Sequence, residues 1–202
     1  MKQGIVFRFF HTGIFSLVIM FSTSDVVASK AGGGTNALGE IKCSAGAFVI
    51  DPDPAGLNVR TKPKGKVITR LPTDAAVDLV AYHKGWFKIS HATYPDGGGF
   101  AKRNEHRLKD GDEWVELKDI NGWVYSKMLG TSIASYGSTS VGSLLSEPSY
   151  SAKMVAKIPG GDELHRIQVL ECRGKWLKIR LNGRDGWLKP ELNCPNPWTT
   201  CS

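Results

Sequence analysis

The sequence predicts an all-β fold made of two small, similar modules in tandem, and three observations carry that reading. Trp-centred phrases occur twice in the same order: Trp86-Phe87-Lys88-Ile89 returns as Trp176-Leu177-Lys178-Ile179, and Gly122-Trp123-Val124 returns as Gly186-Trp187-Leu188. Order shared between two copies is the mark of a repeat architecture. Short stretches such as Val77-Asp78-Leu79-Val80 and residues 176–181 alternate apolar and polar with period two, as half-buried strands do. Gly- and Pro-rich turns separate these stretches, and beyond the N-terminal segment no amphipathic helical run interrupts them.

The chain has 202 residues, enough for one large domain or two small ones, and the repeat decides for two. Modules this small sit near the lower limit for an independent core, so disulfides or mutual packing are expected to support them.

The N-terminus reads as an export signal over residues 1–28. Lys2 and Arg8 supply the positive start, residues 13–21 the apolar core, and Val26-Val27-Ala28 the small-residue cleavage site, with Ser29-Lys30-Ala31 as a second choice. The apolar run falls short of the roughly 20 residues of a membrane span. A periplasmic or secreted protein is expected, with no stable span once the signal is removed. Residues 29–47 follow as a leader that carries Cys43.

The first module covers residues 48–130. Its strands are read at Val77 to Val80 and Trp86 to Ile89, with a second Trp strand at Trp123, and Leu57-Asn58-Val59-Arg60 and Val67-Ile68 precede them in the repeat order. Material from about 91 to 113 separates its two Trp strands and reads as a lengthened hairpin with a mobile tip. It holds Pro95-Asp96-Gly97-Gly98-Gly99 and a basic stretch around Arg103 and Arg107. Long insertions in minimal modules are often functional.

The second module covers residues 131–193. Ser143-Leu144-Leu145 with Pro148 matches Leu57 to Arg60 with Pro63, so Leu145 stands where the first copy has Arg60. Val169-Leu170 and Ile158-Pro159 match Leu79-Val80 and Leu71-Pro72. Its two Trp strands are joined by Asn182-Gly183, a type I′ hairpin signal.

The tail, residues 194–202, is Pro-rich and carries two of the four cysteines: Cys43, Cys172, Cys194 and Cys201. An even count in an exported chain predicts two disulfides. Three pairings are open, and all of them tie Cys43 to the second module or the tail. The tail is expected to be locked by its cysteines and packed over the second module, since free ends fray unless tied down.

Taken as an ordered set, Leu57-Asn58-Val59-Arg60 with Pro63, the Val77 strand, Gly85 to Ile89 and Gly122 to Leu129 resemble the bacterial SH3 domain, and the second copy resembles a diverged member. The resemblance implies two small SH3-like β-barrels, the first with a long hairpin insertion. It also implies a non-catalytic protein that binds cell-wall peptide (peptidoglycan) or an envelope protein. The ligand-binding residues it points to in the first module are Tyr82, Trp86 and Tyr125, with Arg60 as a polar contact. Trp123 and Trp187, each preceded by glycine, read as packing residues.

Other function classes fit less well. The net charge of +7 suits an acidic polymer or surface, but the basic residues are dispersed, and export argues against nucleic acid. No cofactor is implied. The histidines lack paired ligand spacing and the cysteines lack a Cys-x-x-Cys pair, so no metal site is read. Lys42-Cys43-Ser44-Ala45-Gly46 resembles the Cys-Ser-Gly phrase of NlpC-type cysteine peptidases, interrupted by Ala45. A nucleophilic Cys needs a nearby base and usually a helix N-terminus, and the Asp51-Pro52-Asp53-Pro54 run soon after blocks a helix. The remaining alternative is a structural or inhibitory envelope protein that grips one partner through residues 91–113.

Overall fold

The computed structural model describes residues 39–104, 114–134, 140–160, 166–198 and 201, with the backbone alone at 140 and 141. The export signal at 1–28, leader residues 29–38 and insertion residues 105–113 lie outside the described residues. All described residues belong to one compact unit. No helix among them is long and apolar enough to cross a membrane.

The fold is all-β. The strands are β1 (Ile41–Val49), β2 (Leu57–Arg60), β3 (Val67–Leu71), β4 (Ala76–His83), β5 (Trp86–Pro95), β6 (Trp114–Tyr125) and β7 (Leu129–Ile133). The chain continues with β8 (Ser140–Leu145), β9 (Met154–Pro159), β10 (Ile167–Arg173), β11 (Trp176–Leu181), β12 (Arg184–Leu188) and β13 (Asn193–Cys194). One helical turn, α1 (Phe100–Arg103), follows β5, and 3-10 turns over Ser126–Met128 and Pro190–Leu192 follow β6 and β12.

The expected alternation is present. In β4, Val77, Leu79 and Ala81 are buried while Asp78 and Val80 face out. The Asn182-Gly183 turn has positive φ at both residues (49° and 76°) and joins β11 to β12 in a two-residue hairpin. Lys84-Gly85 makes an equivalent turn between β4 and β5, with φ of 44° and 84°. Both fit a type I′ geometry, which matches the twist of the strands they join.

The strands form a single open 13-stranded antiparallel sheet, not two separate sheets. The reason lies in β7, which pairs with β1 on one side and β10 on the other. Within the sheet the strand order repeats. The first run is β3-β2-β6-β5-β4 and the second is β9-β8-β12-β11-β10, so each strand of one copy has its counterpart in the other. The glycine before each central Trp is required at the crossing. A Cβ on Gly122 would collide with Val59, and one on Gly186 would lie 2.7 Å from Leu144 Cβ.

The stretch read as leader takes part in the sheet. From Ile41 onward it is β1, paired with β4. Cys43 is disulfide-bonded to Cys172 of β10, and the neighbouring backbone reinforces the junction: Ser44 N donates to Gly174 O at 2.7 Å and Gly174 N to Lys42 O at 2.9 Å. Cys194 is bonded to Cys201. The tail does not pack over the second copy as expected. Asn193 Nδ2 donates to Gly46 O at 3.1 Å, Pro195 rests against Gly46, and the Trp198 ring meets Trp114 edge-on at 5.1 Å. It follows β1 because β13 pairs with β7, which places the chain end beside the first copy.

The insertion does lengthen the β5–β6 hairpin, with pairing that runs out to Pro95 opposite Trp114. Its described part is more than a surface tip. Phe100 and Ala101 are buried, and Phe100 meets Tyr94 edge-on at 6.0 Å. The Phe100 ring also fills the space that a side chain at Gly56 would take. Buried Asp96 accepts the Ala101 amide at 2.9 Å and fixes this return of the chain onto the core.

Candidate functional site

Strand parity decides which aromatic residues can meet. Trp86 of β5 lies opposite Tyr125 of β6, and Arg60 of β2 lies opposite Trp123 of β6. Trp123 and Tyr125 are two residues apart on one strand and so share a face. Arg60, Trp86, Trp123 and Tyr125 therefore stand together on the outer face of the first copy. The Trp86 and Tyr125 rings are 5.4 Å apart at 45°.

These rings border a groove of about 350 Å³, within the usual range for small-ligand sites. Leu57 and Met128 extend its apolar lining, Asn58 adds an amide, and Arg60, Lys64 and Asp51 supply charge. Arg60 is held in place, since its Nη1 donates to Gly65 O at 2.8 Å. Thr61 N donates to Lys66 O at 2.9 Å, closing the turn that presents Lys64. At the Leu57 end, Asp51 Oδ1 accepts the Asp53 amide at 3.0 Å. The groove combines aromatic rings, aliphatic side chains and charged groups. It offers flat apolar faces with fixed charges at the rim, which is the chemistry of recognition.

Three of the four residues read from the sequence, Arg60, Trp86 and Tyr125, line this groove, and Tyr82 does not. Tyr82 lies opposite Phe87, one position out of step with Trp86, and so points to the other face. Its ring packs 5.1 Å from Phe87. Burial, aided by the Glu171 carboxylate, raises its hydroxyl pKa above the ordinary value, against the lowering effect of the Gly85 backbone. Asp51, Lys64 and Met128 are groove residues that the sequence did not single out. Lys64 sits at a positive φ of 61° in a Pro-Lys-Gly turn, the one local signal that marked it for display.

The second copy has the same frame with different contents. Leu145 lies opposite Trp187 as Arg60 lies opposite Trp123. Leu145, Trp176 and Trp187 form a buried cluster of their own. Tyr150, from the loop after β8, lies over Trp176 with ring centroids 5.0 Å apart. Its hydroxyl donates to Glu191 Oε2 at 3.0 Å, and that bond raises its pKa. Lys189 Nζ stands 5.7 Å from the Tyr150 ring centre.

Elsewhere, a polar hollow of about 420 Å³ lies beside Cys43–Gly46, Asp78–Val80 and Ser90. His91 bridges Asp78 (3.4 Å) and Glu116 (3.1 Å), with Lys118 on Glu116 at 3.2 Å. Among the described residues no group of three or more His, Cys, Asp or Glu could hold a metal ion. Cys43 lies in a strand and its sulfur is engaged in the disulfide.

Comparison with known proteins gives one family match: residues 140–192 match the bacterial SH3 domain. No curated protein matches the chain. Among solved structures, it is similar to NlpC2 from Trichomonas vaginalis, with 14% identity over 74% of this chain and 47% of that one, at a TM-score of 0.27. It is also similar to NlpC1 from the same organism, with 12% identity over 74% and 45%, at a TM-score of 0.28. The chain spans less than half the length of either, and likenesses at this level assign neither fold nor activity.

Proposed function

We propose that the chain is an exported, non-catalytic binding protein with two SH3-like modules in tandem, and that it takes a cell-wall peptide in the groove of the first. The single observation that carries this reading is the open groove walled by Trp86 and Tyr125 and rimmed by the fixed Arg60. The bacterial SH3 match over the second copy, together with the repeated strand order, supports the tandem arrangement at 48–130 and 131–193. Two disulfides support an oxidising, extracytoplasmic location and hence the export signal at 1–28. The NlpC-type peptidase reading requires a Cys43 thiolate, and the bond to Cys172 argues against it.

The test is co-sedimentation of the disulfide-intact protein with purified peptidoglycan sacculi. Wild type should bind, and Trp86→Ala should weaken binding by about 2 kcal/mol, as hot-spot aromatics do. Equal sedimentation of both proteins would reject the groove, and no sedimentation of wild type would reject the cell wall as ligand.

A second reading has one observation in its favour. Trp114, at the insertion end of β6, is 52% exposed and braced by Trp198. That suits a protein partner gripped through residues 91–113. In that case Trp114→Ala would abolish capture of the partner from an envelope extract, and Trp86→Ala would leave it unchanged.

A further inference from the structure

The charges at the first-copy groove are not scattered along its rim. Arg60 closes β2 and Lys64 rises from the turn directly after it, so both cations belong to one end. Asp51 belongs to the other. Ile50 N donates to Met128 O at 2.9 Å, which anchors the Asp51 segment beside the 3-10 turn that follows Tyr125. Because β2 and β6 are antiparallel and Arg60 faces Trp123, the chain beyond Tyr125 approaches the Leu57 end of β2. A carboxylate at the Leu57 end thus faces two cations at the Arg60 end, with Trp86 and Tyr125 between them.

The strand beneath the groove gives it a length scale. Leu57 to Arg60 is three steps of about 3.3 Å, or about 10 Å. An extended peptide of three residues spans about the same length. A guanidinium held by Gly65 O keeps its fork oriented, which suits a carboxylate better than a free point charge does. Asp51 carries a second carboxylate oxygen besides the one that takes the Asp53 amide.

We infer that this groove reads both ends of a short peptide: its free carboxylate at Arg60 and Lys64, its free amino group at Asp51, and the side chain between them on Trp86 and Tyr125. The inference rests on the peptide-binding reading above and deepens it by naming the ligand's chemistry. The groove recognises peptide fragments or peptide ends carrying both charges, not a blocked internal segment of a long chain.

The experiment is calorimetric titration of the disulfide-intact protein with three forms of the tripeptide Ala-Leu-Ala: the zwitterion, the C-terminal amide and the N-acetyl form. The zwitterion should bind, and either block should weaken binding at least tenfold. Arg60→Met should remove the penalty for amidation and keep that for acetylation, while Asp51→Asn should do the reverse. Lys64→Met, in an exposed turn that does not support the core, repeats the carboxylate arm should Arg60→Met fold poorly. Equal binding of the three forms, no binding of the zwitterion, or an amidation penalty that survives in the cation variants would overturn the inference. Sacculi that still sediment wild type but not Trp86→Ala, with the three tripeptides indistinguishable, would sink this inference and leave the peptide-binding reading standing. Tripeptide discrimination without any binding to sacculi would uphold this inference and reject the cell wall as the source of the peptide.

Discussion

Trp86 and Trp176 hold the same place in two copies of one strand order, yet one borders an open groove and the other lies under a tyrosine of its own chain. The difference traces to a few residues. Arg60 and Tyr125 keep the first groove polar at the rim. In the second copy Leu145 turns the same position apolar, and Tyr150 closes over it. The lesson is that a duplicated scaffold does not imply a duplicated site. Under the proposal, the first copy keeps its groove for a ligand while the second fills its own by packing.

That contrast assumes that the two copies behave as one body. Cys43→Ala with Cys172→Ala removes a crosslink closing 129 residues and should cost about 5 kcal/mol of unfolding free energy in the chain-entropy model. Urea denaturation checks this, and a loss near zero would mean that backbone pairing through β7 and the bonds between residues 42–44 and Gly174 hold the copies together without the crosslink. Next in size is Phe100→Ala, which should cost about 3 kcal/mol in the same assay, because the ring is buried against Tyr94 and Gly56. A silent mutant would return the insertion to the status of a surface tip and restore it as a free binding element.

The parts legible from the sequence were those written in local pattern. The Trp phrases, the alternation in β4 and β11, and the Asn182-Gly183 turn marked the central strands of each copy, the repeat they share and the place where Arg60 gives way to Leu145. Contacts between distant segments were not legible. Nothing local in Leu129–Ile133 says that β7 pairs with both β1 and β10. Phe100 sits among glycines and basic residues, and no periodicity marks it as core. The resemblance places Tyr82 with Trp86 as an aromatic of one groove. The Lys84-Gly85 turn sets them one step out of phase, and one step in a strand is a change of face. Asp51 and Lys64 lie in turns, where residue type reports the turn before it reports a ligand.

Two smaller effects sharpen the comparison. Tyr150→Ala should uncover Trp176, so tryptophan emission shifts to the red while binding at the first groove is unchanged. An unshifted spectrum would mean that Tyr150 does not shield Trp176. The smallest effect is an acid response in the second copy. The Arg180 guanidinium, hydrogen-bonded to Asp185 at 2.6 and 2.8 Å, lowers that carboxyl's pKa in the folded state. Its contribution to stability is therefore present above the unfolded value of about 3.9 and lost as pH falls through the lower folded value. Arg180→Met should flatten that part of the pH–stability curve slightly, as befits an exposed pair. An unchanged curve would show the pair to be without effect.

The most direct measurement of the central claim pairs the two tryptophans. Trp86→Ala and Trp176→Ala are each assayed for binding to peptidoglycan sacculi and for urea stability. The account predicts that Trp86→Ala loses about 2 kcal/mol of binding with little change in stability. Trp176→Ala should lose about 3 kcal/mol of stability while its folded fraction binds as wild type does. Loss of binding from Trp176→Ala with Trp86→Ala unaffected would place the working groove in the other copy and contradict the account.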